Sequence, residues 1–290
     1  MLKISLKETI RFLRQKDYEI LASLLEDTWE SHPDKDHKHY DMWREQLAVN
    51  IPVLYIASII LHNYVQSHGI KNILFATRDC SHWYKIYKAM YPHESCHYFS
   101  CSRNMFNIAR TKSRPYYEKY IKSLTDGDIS NSIYVDVHGT GKRMYQYFKD
   151  KHDEIPFCFI LSSGHSSSDG LSKEIRKLVS KDRAEFLVFS ADGSPIEMLN
   201  YDIIGTCSDY NKYGPVRNTL EYDADDVQGY HNCVDRFIKL LKRKDSVDDN
   251  HTDKSMHNII KLLFKPALNK LPVISEWIKP ERKHDTSSVN

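Results

Sequence analysis

Between Ile133 and Tyr145 the sequence reads Ile-Tyr-Val-Asp-Val-His-Gly-Thr-Gly-Lys-Arg-Met-Tyr, with Asp136 closing a β-branched and aromatic run and two glycines flanking Thr140. That pattern predicts strand, tight loop, helix. Gly139, Thr140 and Gly141 let backbone N–H groups approach an anion, and a helix opening at Lys142 turns its unbonded amides and positive dipole end toward the same point. Asp136, beside the loop, suits sugar hydroxyls or a metal ion. A plain βα turn would also favour glycine for steric reasons, so the loop alone fits packing as well as phosphate.

Four more positions belong to the same chemistry. A sugar carrying an anomeric diphosphate needs cations for the phosphates, a grip on its hydroxyls, and a base for the acceptor hydroxyl. Arg78 and Arg103 suit the phosphates, because guanidinium groups pair with phosphate oxygens in a bidentate way. Lys142 adds a point charge. Asp136 suits the hydroxyls, alone or through Mg²⁺, which binds through few carboxylates plus substrate phosphates. Asp79 or Glu197 is the candidate base, with His138 behind them. Each also has a plain structural reading: Arg78-Asp79 as a surface pair capping a helix, Arg103 as a solvated side chain, Glu197 as a cap, His138 as a turn residue.

The elements that must position these residues alternate along the chain. Strands are expected at 72–77, 96–101, 133–137, 157–161 and 185–189, with helical stretches between them, which argues for an open, mostly parallel α/β sheet. Ligands of such sheets sit outside the carboxyl ends of the strands, where strand order reverses. Arg78, Asp79, Arg103, Asp136 and the 139–141 loop all fall at such ends. Two short amphipathic helices are expected before residue 30, then an exposed polar loop from Ser31 to Tyr40 carrying His32, His37 and His39 without ligand spacing. A helix from Asp41 to His68 follows, kinked or started by Pro52 and stopped by Gly69. Ser162 to Gly170 reads as a small-residue loop, 172–182 as a basic helix or loop, and the passage from 200 to 226 as irregular. The expected division is a helical region 1–68 packing on the core, an α/β core 69–225, C-terminal helices 226–279, and a disordered tail 280–290.

With 290 residues, 41 basic against 39 acidic, the chain can bury a large core, and its net charge of +2 gives no reason for a nucleic-acid partner. The Lys/Arg run at 236–244 reads as a solvated helix face. Six scattered cysteines without a C-x-x-C pair read as reduced thiols of a cytoplasmic protein. The N-terminus lacks the apolar core of a secretory signal, and Ile51 to Leu61 is too short for a transmembrane segment.

The order helix, Gly69-Ile70, strand, Arg78-Asp79, helix, Tyr98-x-x-x-Ser102-Arg103, strand-Asp136-x-x-Gly139-Thr140, then Ile196-Glu197 resembles the module that accompanies HAD-like phosphatase domains in bacterial polysaccharide-assembly proteins. The likeness covers roughly residues 45 to 220. That module in turn is similar to type I phosphoribosyltransferases, whose Thr-Gly loop aligns with Thr140-Gly141 and whose second acidic position aligns with Asp136. Val135 stands where the first acid would be. Ala76-Thr77-Arg78-Asp79-Cys80 also departs from the module's Arg-Asp-Gly.

The resemblance implies a Rossmann-like fold with added terminal helices, and a glycosyltransferase that moves a phosphoribosyl or other pentose unit from an anomeric-diphosphate donor to a glycan or glycolipid hydroxyl. A separate phosphatase would be a partner, since no HAD-like Asp-x-Asp-x-Thr motif occurs near the N-terminus. Two other readings remain open: a nucleotide-sugar donor, which the missing first acid favours, and a non-catalytic binding or regulatory module.

Overall fold

A computed structural model of the chain describes residues 5–190, 195–220 and 224–270. The expected disordered tail and the turn Asp192-Gly193-Ser194 lie outside the described residues. Five strands, β1 (Asn72–Ala76), β2 (Ser95–Phe99), β3 (Ser132–His138), β4 (Phe157–Ser163) and β5 (Ala184–Phe189), form one parallel sheet in the order β2-β1-β3-β4-β5. Every residue of β1 is buried. Helices cover both faces of the sheet, which is why its strands read as continuous apolar runs without alternation.

Five helices make the crossovers: α5 (Ser81–Met90) between β1 and β2, α6 (Arg103–Thr111) and α7 (Pro115–Thr125) between β2 and β3, α8 (Lys142–His152) between β3 and β4, and α9 (Lys173–Val179) between β4 and β5. Strand order therefore reverses between β1 and β3. The loops leaving these two strands diverge there and open the crevice in which such sheets hold ligands.

The N-terminal helices α1 (Leu6–Arg14), α2 (Glu19–Trp29), α3 (Tyr40–Glu45) and α4 (Ile51–His68), with the C-terminal α11 (Ala224–Leu241) and α12 (Asp253–Lys270), share a single hydrophobic core with the sheet. Gly69, in the left-handed region at φ 62°, ends α4 where the sequence places the stop. The pairs His82–His231 and Lys85–Asp235 run α5 and α11 in the same direction, so the exposed Lys239, Lys242, Arg243 and Lys244 end α11 at the sheet's amino edge, away from the crevice.

Several expectations change in detail. Tyr40 to His68 forms one uninterrupted helical run, longer than the apolar stretch Ile51–Leu61 and long and apolar enough to cross a membrane. Its most apolar window is 89% buried inside the protein, however, so it serves as a core helix. Pro52 stands at the start of α4, one of the two alternatives expected for it. A wide turn of π geometry, Gln46–Asn50, precedes α4 and leaves Pro52 in its first turn, where a missing N–H costs nothing. The wide turn is held by buried amides: Gln46 Nε2 donates to the Leu199 carbonyl at 2.6 Å, and Asn200 Nδ2 to Asn50 Oδ1 at 2.8 Å.

The histidine loop is less exposed than expected. His39 is buried and His32 stacks on Trp29 at 4.0 Å. β2 ends at Phe99, short of Cys101, because the Cys101 N–H turns to Thr77 Oγ1 at 3.2 Å. The passage read as irregular contains α10 (Pro195–Leu199) and an antiparallel hairpin of β6 (Cys207–Asn211) and β7 (Gly214–Arg217). The hairpin docks on the neighbouring helices through Ser102 Oγ to the Cys207 carbonyl at 2.6 Å and a Tyr120–Tyr210 stack at 4.6 Å.

Candidate active site

β1 and β3 deliver the two aspartates to the crevice. Asp136 occupies the fifth position of β3, half-buried, and Asp79 follows β1 in the loop that starts α5. Burial, and then the charge of Asp79, push the Asp136 carboxyl up to about 7. The Tyr134 hydroxyl donates to Asp136 Oδ2 at 2.9 Å and, with the backbone amides of His138 and Val137, pulls weakly the other way. Two carboxylates in one low-dielectric cleft raise each other's cost of ionisation, and a cation between them would relieve it. Among the described residues no group of three or more His, Cys, Asp or Glu side chains could hold a metal ion. Mg²⁺ at Asp136 would thus take most of its ligands from substrate phosphates and water.

Arg78 lies at the β1 side of the crevice, its Nε 3.4 Å from Asp79 Oδ1 and its guanidinium carbon 4.0 Å from the centre of the Tyr201 ring. The peptide joining Thr77 to Arg78 is cis. The Arg78 carbonyl accepts from the Tyr98 hydroxyl at 3.0 Å, and that hydroxyl also meets Asp202 Oδ2 at 2.8 Å. Tyr201 is held in turn, its carbonyl 3.0 Å from His231 Nε2 on α11. A helix close to the C-terminal end of the described chain therefore helps to fix the arginine behind β1.

Arg103 is exposed at the head of α6, and its charge reaches His138 across the crevice: burial, then Arg103, hold the His138 imidazole down at about 4, so it is neutral at physiological pH. The glycine loop runs between His138 and α8. Gly139 donates its N–H to the Ser162 carbonyl at 3.1 Å, and a side chain there would meet Asp136 Oδ2 at 3.3 Å. Gly141 is the N-cap of α8 at φ 68° and offers no side-chain cap; the Lys142 N–H is met instead by Thr140 Oγ1 at 3.4 Å. Lys142 is exposed and lies near Glu174 and Lys173, so its charge sits on the rim. Glu197 is half-buried on α10, a helix that packs against β3 and the wide turn.

Asp79, Asp136, Arg78, Arg103, His138 and the loop thus surround one switch-point crevice. Reading the sequence alone misses Tyr134, Ser162, Tyr201 and Asp202, and gives Tyr98 a place in a motif but no role. Two of these carry a signal. Tyr134 stands two residues before Asp136 and so on the same side of the strand, and Ser162 is the register partner of His138. Tyr201 and Asp202 arrive by tertiary packing, for which no local pattern exists. A broad groove between α1 and α2, lined by Arg11, Arg14 and Trp29, brings no comparable chemistry, as Arg14 is engaged by Glu19 and Glu26.

Gly141→Ala tests the loop geometry. The new methyl group would lie 3.1 Å from Cys158 Sγ and 3.5 Å from Ile175 Cδ1, at a φ that L-residues avoid. The expected loss is about 1–3 kcal/mol of stability by chemical denaturation, and a neutral effect would mean that the loop yields. No family model matches the sequence, and no curated protein matches it.

Proposed function

We propose that the protein is a cytoplasmic glycosyltransferase that moves a pentose unit, phosphoribosyl in the first instance, from an anomeric-diphosphate donor to a glycan or glycolipid hydroxyl. The observation that carries this reading is the meeting of Asp79 and Asp136, with Arg78 beside them, at the crevice where an open glycine loop begins α8. Arg78 and Arg103 stabilise charge developing on the leaving diphosphate, which is the dominant catalytic contribution expected of such a site. The amides of Thr140 and Gly141 hold the donor's other phosphate, and Asp136 holds its hydroxyls.

The acceptor hydroxyl attacks the anomeric carbon in line as the carbon–diphosphate bond breaks, with inversion, and a carboxylate takes its proton. Asp79 is the first base by position and Glu197 the second. Asp136, held near 7, has the proton affinity best matched to neutral pH. Mg²⁺, where bound, would neutralise the diphosphate against Asp136. A glycan phosphatase acting afterwards would be a separate protein.

Incubating the protein with phosphoribosyl diphosphate, Mg²⁺ and an acceptor library should release diphosphate only when an acceptor is present. Asp79→Asn should lower the rate at least 100-fold with the fold intact, as removal of a general base typically costs about 10²–10⁴. Unchanged turnover in this variant would remove Asp79 from the mechanism. Nucleoside diphosphates that raise the melting temperature where phosphoribosyl diphosphate does not would favour the nucleotide-sugar reading, and absence of any donor binding would favour a non-catalytic module.

A further inference from the structure

His138 lies between the aspartate and the glycine loop, and the atoms around it favour one placement of its ring hydrogen. Its Nδ1 is 3.0 Å from Ser162 Oγ, and the same Oγ is 2.9 Å from the Val137 carbonyl. A carbonyl oxygen only accepts, so the arrangement that uses both contacts sends the Ser162 hydrogen to Val137 and lets the Ser162 oxygen accept from His138 Nδ1–H. Nδ1 then holds the imidazole's one hydrogen, and Nε2 presents a lone pair.

That lone pair is accessible. Among the described residues Nε2 makes no hydrogen bond. Beside it stands Gly164, where even a methyl group would come within 3.7 Å of Nε2. Burial, and then the charge of Arg103, oppose protonation of the ring and keep the nitrogen an acceptor. A neutral acceptor gains nothing from an ionised phosphate oxygen, which has no hydrogen to give. It needs a donor: O–H or N–H.

We infer that His138 Nε2 accepts a hydrogen bond from a ring hydroxyl of the bound sugar, so that the site selects a hydroxylated pentose phosphate over its deoxy counterpart. This rests on the sugar-phosphate reading above and goes beyond it by assigning the imidazole to the hydroxyl side of the ligand instead of the phosphate side. Ser162 is then a positioning residue, which acts by fixing the tautomer.

The test measures binding by calorimetry of inorganic pyrophosphate, ribose 5-phosphate and its 2-deoxy and 3-deoxy analogues to the whole protein and to two variants. His138→Asn keeps a donor where Nδ1 stands but has nothing to offer at Nε2. His138→Gln places its amide oxygen near the Nε2 position. The wild type should bind ribose 5-phosphate about tenfold more tightly than at least one deoxy analogue. That preference should fall below about twofold in His138→Asn and survive largely in His138→Gln, while pyrophosphate binds all three proteins alike. A preference that persists unchanged in His138→Asn would overturn the assignment and leave the sugar-phosphate reading standing. If neither pyrophosphate nor ribose 5-phosphate binds the wild type, the reading itself falls, and the assignment with it.

Discussion

Asp136→Asn is expected to make the protein more stable at pH 8 while abolishing transfer. The Asp136 carboxyl sits at about 7 in the folded protein, against an ordinary aspartate near 4 once unfolded. Below about pH 4 both states are protonated and the residue is neutral to folding. From about 4 to 7 the unfolded chain gives up the proton and the folded protein keeps it, so stability falls with rising pH, by as much as about 1.4 kcal/mol per pH unit. Above 7 the folded protein carries the buried charge in full.

Asparagine has nearly the same shape, can accept from Tyr134 as the carboxylate does, and never ionises. The variant should therefore match the wild type near pH 4 and exceed it at pH 8 by about 2–4 kcal/mol, the upper end being a limit because solvent reaches part of the group. Urea denaturation at the two pH values measures the crossing. Mg²⁺ with pyrophosphate should narrow the gap, since a cation at the carboxylate gives the wild type a contact that the variant lacks. A variant less stable than the wild type at pH 8 would mean that Asp136 is satisfied within the fold, and the case for a ligand-directed carboxylate would lose its physical basis.

Stability sacrificed at one position helps to explain which parts of the site are visible in the sequence. Asp136 and the glycines are legible because they break local rules: an acid at the end of an apolar strand, and two glycines opening a helix that a serine or aspartate would cap better. The parallel sheet is legible because β1 and β4 are buried on both faces and read as unbroken apolar runs. The wide turn before Pro52 is not legible, because it is held by Gln46, Asn50 and Asn200, and residues 150 apart leave no local trace. The β6–β7 hairpin escapes notice for a similar reason. Its strands are four and five residues long and mostly half-buried, with Pro215 in one of them, so no apolar alternation marks it.

Arg78→Ala should weaken binding of pyrophosphate by about 100-fold or more, since two charge-assisted hydrogen bonds to phosphate oxygens contribute roughly 1.5 kcal/mol each at the least. Arg78→Lys should recover only part of this, because an ammonium lacks the planar fork. The more discriminating change is at Tyr201, whose ring lies under the guanidinium at 4.0 Å. Tyr201→Phe keeps the face that attracts the cation and should bind pyrophosphate within about twofold of the wild type. Tyr201→Leu loses it and should bind about tenfold more weakly, given the roughly 0.5–2 kcal/mol of a cation–π contact.

If Tyr201 acts by holding Arg78, the two losses must not add. Arg78→Ala with Tyr201→Leu should bind no more weakly than Arg78→Ala alone, with thermal unfolding confirming that each variant is folded. Additive losses would show that Tyr201 reaches the ligand or the fold by another route. Non-additive losses would tie affinity at the β1 loop to a tyrosine held by His231 on α11, which makes that helix a working part of a site whose two aspartates come from the sheet and the loop after β1.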